Sequence, residues 1–146
     1  MRFWCLVLAL LTQPVFAVDK ITDEAIKQFL SQQSTFVMQK EPEKLMALFA
    51  DKYQQFNKKQ QATIGKDELK KIYTGNFLVA KLIINTIQLT DSKIADDGLH
   101  AQISTHVFNR YLIEYAEKQN VLTQEEDWLS ELVLENGQLL YLKTEK

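Results

Sequence analysis

Cysteine is almost missing. The one residue, Cys5, sits inside a short apolar stretch near the start of the chain. That stretch has the parts of a secretory signal: Arg2 as a positive lead, Phe3 to Leu11 as an apolar core, and Val15-Phe16-Ala17 as the small-residue site a signal peptidase reads. The run is well short of the roughly 20 apolar residues that span a bilayer, and Cys5 precedes most of the core, where a lipid anchor would follow it. Residues 1–17 are therefore expected to be cleaved, leaving an exported protein, periplasmic or secreted, that begins at Val18 and has no membrane contact. Without cysteine the mature chain has no disulfide, no thiolate nucleophile and no cysteine metal site.

Other absences narrow the function. Removing residues 1–17 takes away Arg2 as their only charged residue and moves the net charge from −2 to −3. There is no basic run, so nucleic acid is not an expected partner. Arg110 is then the only arginine, and a cross-strand ion pair is its expected role. The two histidines, His100 and His106, lie six residues apart on one predicted strand, roughly 20 Å at the usual rise, and cannot share an ion. No His-Glu-x-x-His helix, Gly-x-Ser-x-Gly elbow, phosphate loop or dinucleotide fingerprint occurs. No metal and no cofactor are expected. Linkers, repeats and low-complexity tracts are also lacking. With 46% hydrophobic and 25% charged residues, 18–146 reads as one ordinary globular domain and not as disorder.

What is present falls into two halves. Thr22 is a helix N-cap, with Asp23 and Glu24 in the dipole-favourable first turn and Ile26, Phe29, Leu30 and Val37 on one face. A first helix is predicted over about 23–40. Pro42 starts a second, short helix ending near Asp51. Tyr53–Phe56 and Gln61–Ile64 read as a small hairpin. Gly65 opens a third helix, with Gly75 as its expected cap. From Leu78 onward the chain is rich in β-branched residues. Asp97-Gly98, a turn at 118–121 and Asn136-Gly137 divide it into four strands with no proline. Helices segregated from an antiparallel sheet define an α+β fold, with one sheet face covered and strands that alternate.

The step Phe49-Ala50-Asp51-Lys52-Tyr53, the run Gly65-Lys66-Asp67-Glu68-Leu69 opening the third helix, and Trp128 with Asn136-Gly137-Gln138 in the last hairpin resemble the nuclear transport factor 2-like superfamily, which includes SnoaL-like proteins and ketosteroid isomerases. The likeness covers the whole mature chain and rests mainly on the order of elements. It implies three N-terminal helices packed in the concave face of a strongly curved antiparallel sheet, a cone with an apolar cavity, and a homodimer paired through the outer sheet face at Phe108 and Leu112.

Turn-based pairing of Ile94 with His100, Lys118 with Val121, and Glu135 with Gln138 collects Ile83, Ile87, Ile103, Val107, Tyr111, Trp128, Leu132 and Tyr141 on one face. It also predicts a polar seam there: Asn85 beside Asn109, Asn109 beside Ser130, Ser130 beside Lys143. Buried amides need partners, so the seam is either a closed hydrogen-bond network or the floor of a pocket. Asn85, Asn109, Tyr111, Trp128, Ser130 and Tyr73 are the candidate ligand-binding residues, for a small apolar ligand. Isomerase chemistry requires a carboxylate base and acidic hydrogen-bond donors. Tyr53, Tyr73 and Tyr111 offer donors, and in this register no Asp or Glu is expected on the apolar sheet face. None of the superfamily's catalytic patterns is matched residue by residue. The reading is therefore an exported small-molecule-binding or protein-interaction domain, with an acid–base enzyme as the alternative should Asp51 or Glu68 point into the cavity.

Overall fold

The computed structural model describes residues 18–146, so the expected signal segment lies outside the described residues. Helix α1 spans Asp23–Met38, with the Thr22 hydroxyl accepting from the Ala25 N–H at 3.1 Å. It ends in a Schellman turn: Lys40 N–H bonds Val37 O, Glu41 N–H bonds Phe36 O, and Lys40 takes a left-handed φ of 56°. That conformation costs a lysine about 1–2 kcal/mol. The Lys40 ammonium gains a position on the carbonyls of Ala80 and Lys81, at the end of helix α3 (Lys66–Val79), where a cation suits the helix dipole.

Helix α2 is only Pro42–Met46, and strand β1 runs Phe49–Asn57. The strand thus starts four residues before the predicted Tyr53, because β1 pairs in parallel with the last strand, β6 (Gln138–Glu145), from Phe49 opposite Tyr141. Lys66 fixes the junction. Its ammonium donates to Phe49 O at 2.7 Å and to Asp51 Oδ1 at 3.1 Å. Two of the sequence stretches that carried the family resemblance are therefore joined by one side chain. Gly75 is not a cap. The helix continues through it to Val79, and Gly75 stands with open space around it.

Strand β2 (Ala62–Gly65) is followed, after α3, by β3 (Ala80–Ile94), β4 (His100–Tyr115) and β5 (Lys118–Glu135). The six strands form one sheet in the order β2-β1-β6-β5-β4-β3, antiparallel except at β1–β6. Its inner face packs on α1 and α3 around a core that includes Ile26, Leu30, Val37, Leu45, Ile83, Ile103, Leu132 and Tyr141.

The registers differ from those read off the turns in instructive ways. Ile94 faces Ala101 and not His100, but a bulge at Thr90 restores the predicted pairs Ile87–Val107, Asn85–Asn109 and Ile83–Tyr111. The second turn is Ala116-Glu117, with φ of 48° and 64°, and not 118–121. Asn109 therefore faces Gln124, and Ser130 faces Ile103. The third hairpin pairs Glu135 with Gln138 as expected, but a bulge at Leu142 puts Thr144 opposite Ser130 and turns Lys143 outward. The predicted continuous seam does not exist.

Candidate functional site

One end of the inner face is closed by aromatic packing. Tyr141 is tilted against Phe29 (ring centroids 4.9 Å apart) and stacked on Phe49 (5.0 Å), and Phe49 meets Tyr53 edge-on at 4.7 Å. The Tyr141 hydroxyl donates to Gln33 Oε1 at 2.6 Å, so both polar groups carried into this core are answered. Beside them Ser130 and Thr144 hydroxyls lie 3.0 Å apart, and the Tyr53 hydroxyl reaches Gln55 Oε1 at 3.4 Å.

The other end opens. Along the inward positions of β5, exposure climbs from Ser130 (1%) through Trp128 (8%) and partly buried Glu126 to Leu122 (47%). This exposed end of the inner face is the mouth. Glu126 occupies this mouth. Its Oε2 accepts the Trp128 indole N–H at 2.9 Å and the Lys146 ammonium at 3.3 Å, with that ammonium also 5.7 Å from the Trp128 ring centre. Among the described residues Glu126 Oε1 has no hydrogen-bonding partner.

Two phenols, Tyr73 and Tyr111, feel the charge of this carboxylate. Burial pushes the Tyr73 hydroxyl well above its ordinary range, and Tyr111, Tyr53 and the negative charge of Glu126 raise it further. Burial also raises Tyr111, again helped by Glu126. Tyr53 is raised by desolvation, against a lowering hydrogen bond with Thr144, and Tyr141 is raised by desolvation and its phenolic neighbours. All four are neutral hydrogen-bond donors near neutral pH.

The six sequence candidates thus separate into three groups. Trp128 donates to Glu126, and Tyr73 and Tyr111 lie near enough for its charge to raise both phenols. Asn85 and Asn109 form a buried pair, Asn85 Nδ2 donating to Asn109 Oδ1 at 2.7 Å, which leaves Asn85 Oδ1 without a partner. Ser130 belongs to the closed end with Thr144. Asp51 and Glu68 do not reach the interior. The first is fully exposed on Lys66 and the second is exposed on α3. Glu126 is the residue the sequence reading missed. It shares strand parity with Trp128 and Ser130, so counting back from them by twos places a carboxylate on the inner face. Arg110 projects from the outer face opposite Ile84 and Thr123 and makes no ion pair among the described residues, contrary to expectation. His106 pairs with Asp127 at 2.8 Å and His100 with Asp97 at 3.1 Å, both on exposed surface. Among the described residues no cluster of three metal-ligating side chains is present.

No family model and no curated protein matches the sequence. Solved structures do match the fold. A nuclear transport factor 2-like protein of unknown function from Shewanella oneidensis aligns with a TM-score of 0.66 at 11% identity, over 84% of this chain and 95% of its own. The fold is the nuclear transport factor 2-like cone. A candidate scytalone dehydratase from Novosphingobium aromaticivorans shares the cone with a TM-score of 0.70 at 18% identity (84% and 80% covered). A ketosteroid isomerase-like protein from Erwinia carotovora atroseptica does so with a TM-score of 0.62 at 13% identity (84% and 92% covered). At such identities the likeness extends to the architecture of the cone and not to its chemistry.

Proposed function

We propose that this protein binds a small, largely apolar molecule in the mouth of its cone, with Tyr73, Tyr111, Glu126 and Trp128 as the contact residues. The observation that carries the reading is Glu126: an inward carboxylate with one oxygen held by Trp128 and Lys146 and the other without a partner among the described residues. Apolar walls beside a few convergent polar groups are the usual make-up of a small-molecule site. Native mass spectrometry of the purified protein, with identification of any co-purified molecule, tests it. Binding that survives Glu126→Gln, Tyr73→Phe and Trp128→Phe unchanged would place the ligand elsewhere.

A second reading, acid–base catalysis, draws on the same observation. A fixed carboxylate beside neutral phenols supplies a proton acceptor and hydrogen-bond donors, the two components needed to move a proton next to a carbonyl. Cone-fold neighbours include an isomerase-like protein and a candidate dehydratase. Solvent-deuterium exchange into small ketones, followed by mass, separates the readings. Exchange abolished by Glu126→Gln supports an enzyme, and binding without exchange supports a carrier or sensor.

The outer face fits a second copy of the chain. Leu82, Leu112 and Val121 form one cross-strand row, with Ile84 and Phe108 on the same face, and no helix covers them. Light scattering at concentrations on the order of tens of micromolar is expected to show a dimer, and a monomer there would remove this part of the proposal.

A further inference from the structure

The outermost strand, β3, has β4 on one side and no strand on the other. Helix α1 runs beside this free edge and is tied to it at both ends. The Ser92 hydroxyl donates to Asp23 Oδ1 at 2.7 Å, and the Lys40 ammonium reaches the carbonyls of Ala80 and Lys81. Between the ties the edge stands open as a groove of about 320 Å³, walled by Lys27, Ser31 and Ser34 of α1 and by Asn85, Thr86, Ile87 and Leu89 of β3.

Three features of this groove fit an extended polypeptide. Among the described residues no backbone group of β3 between Asn85 and Leu89 has a partner on the free side, and a row of N–H and C=O groups at strand spacing is matched only by another extended backbone. The open window is five residues long, about 15 Å at the usual rise, room for a four- or five-residue strand. At one end Asn85, only 7% exposed, lines the groove with its Oδ1 unpartnered. At the other end Lys27 stands beside Leu89 with no ion pair among the described residues. The groove thus offers backbone pairing along its length, a buried acceptor at one end and a free cation at the other.

We propose that this edge docks an extended segment of a partner protein, added to the sheet as a seventh strand against α1, with an acidic residue or terminal carboxylate at Lys27 and a donor side chain at Asn85. The site is separate from the cone mouth and goes beyond the ligand reading above. Alternate residues of the docked segment face Leu30 and Ile87 on the groove floor, so small apolar residues alternate with polar ones.

The probe is the pentapeptide Thr-Val-Thr-Val-Asp, titrated into isotope-labelled protein and followed by amide chemical shifts and hydrogen exchange. Saturable shifts and slowed exchange confined to residues 84–89 and to α1 are expected, with a dissociation constant on the order of a millimolar or tighter. The same peptide N-methylated at alternate amides is expected to lose binding at least tenfold. Ser31→Trp, an exposed position whose new ring fills the groove, is expected to do the same without changing the circular dichroism. Lys27→Glu is expected to reverse a preference for the Asp-ended over a Lys-ended peptide. Absence of saturable change at β3, equal binding of the methylated peptide, or undiminished binding to well-folded Ser31→Trp overturns the proposal. Slowed exchange at 84–89 in the protein alone, with a doubled mass that Ser31→Trp abolishes, also overturns it, because the occupant is then a second copy of the chain.

Discussion

At the closed end of the cone Tyr141 and Gln33 answer each other inside a wall of Phe29, Phe49 and Tyr53. At the mouth, on the same sheet face, Glu126 takes two hydrogen bonds on one oxygen and leaves the other free of protein. Two inward steps separate these environments along β5, from Ser130 to Trp128 to Glu126. The difference teaches how one sheet face serves two purposes. At the closed end, where the helices cover the strands, Tyr141 and Gln33 satisfy each other within the protein, because an unmet polar group there costs about 1–3 kcal/mol. Where the helices stop covering the strands, the same alternation presents polar groups that solvent or a ligand satisfies.

Raising the pH attacks both ends together and is the largest expected effect. Tyr53, Tyr73, Tyr111 and Tyr141 have folded-state pKa values above the ordinary 10.0, whereas in the unfolded chain they ionise normally. The stabilisation is complete below pH 10 and is lost as pH rises toward the folded values, at up to about 1.4 kcal/mol per pH unit for each phenol. The phenolate absorbance is expected to show Tyr53, Tyr73, Tyr111 and Tyr141 ionising only with unfolding. Four phenols titrating smoothly in a folded protein would contradict the burial described here.

Truncation separates the ends. Phe49→Ala is expected to cost about 3–5 kcal/mol in denaturant unfolding, as large aromatic core deletions do. Tyr141→Phe removes one hydroxyl and strands Gln33, for a loss of about 1–3 kcal/mol. Lys40→Gly relieves left-handed strain of about 1–2 kcal/mol but gives up an ammonium worth about 0.3–1 kcal/mol at the end of α3, so a thermal melt is expected to show a slight gain. Lys40→Ala keeps the strain and loses the ammonium, and is expected to melt lower than the parent. Smallest of all, Glu126→Gln is expected to change stability by about 0.5 kcal/mol or less. A Glu126→Gln loss as large as that of Tyr141→Phe would mean that the mouth is as structural as the closed end.

How much of this was legible depended on which residues marked the turns. Asn136-Gly137 announced its hairpin, because both positions need positive φ and these residues tolerate it. Ala116-Glu117 did not, since neither residue type favours the left-handed region they adopt. The predicted partner of Lys118 was therefore Val121 and not Tyr115, a slip of six residues. Being even, the slip kept every inward residue inward, so Trp128, Ser130 and Leu132 were placed on the right face while their neighbours were wrong. The bulges at Thr90 and Leu142 have no sequence mark. The first rescued the Asn85–Asn109 pair, and the second exchanged Lys143 for Thr144. The early start of β1 was hidden because it depends on a parallel partner far along the chain. Glu126 was within reach of parity alone: the expectation that the apolar sheet face holds no Asp or Glu overlooked that it lies two residues before Trp128.

That parallel pairing of β1 with β6 has a consequence for how the chain comes to be folded. The strand holding the middle of the sheet together is the last one in the sequence. Until Gln138–Glu145 is in place, β1 with its hairpin partner and β5 with its neighbours are two half-sheets, each with a bare edge and neither with a complete core. Contacts between such distant parts form slowly, and bare edges invite association with other chains. A chain growing from its N-terminus therefore has no finished sheet to fold into before its final strand emerges, and shortening the C-terminus by that one strand is expected to remove the whole fold and not merely its margin.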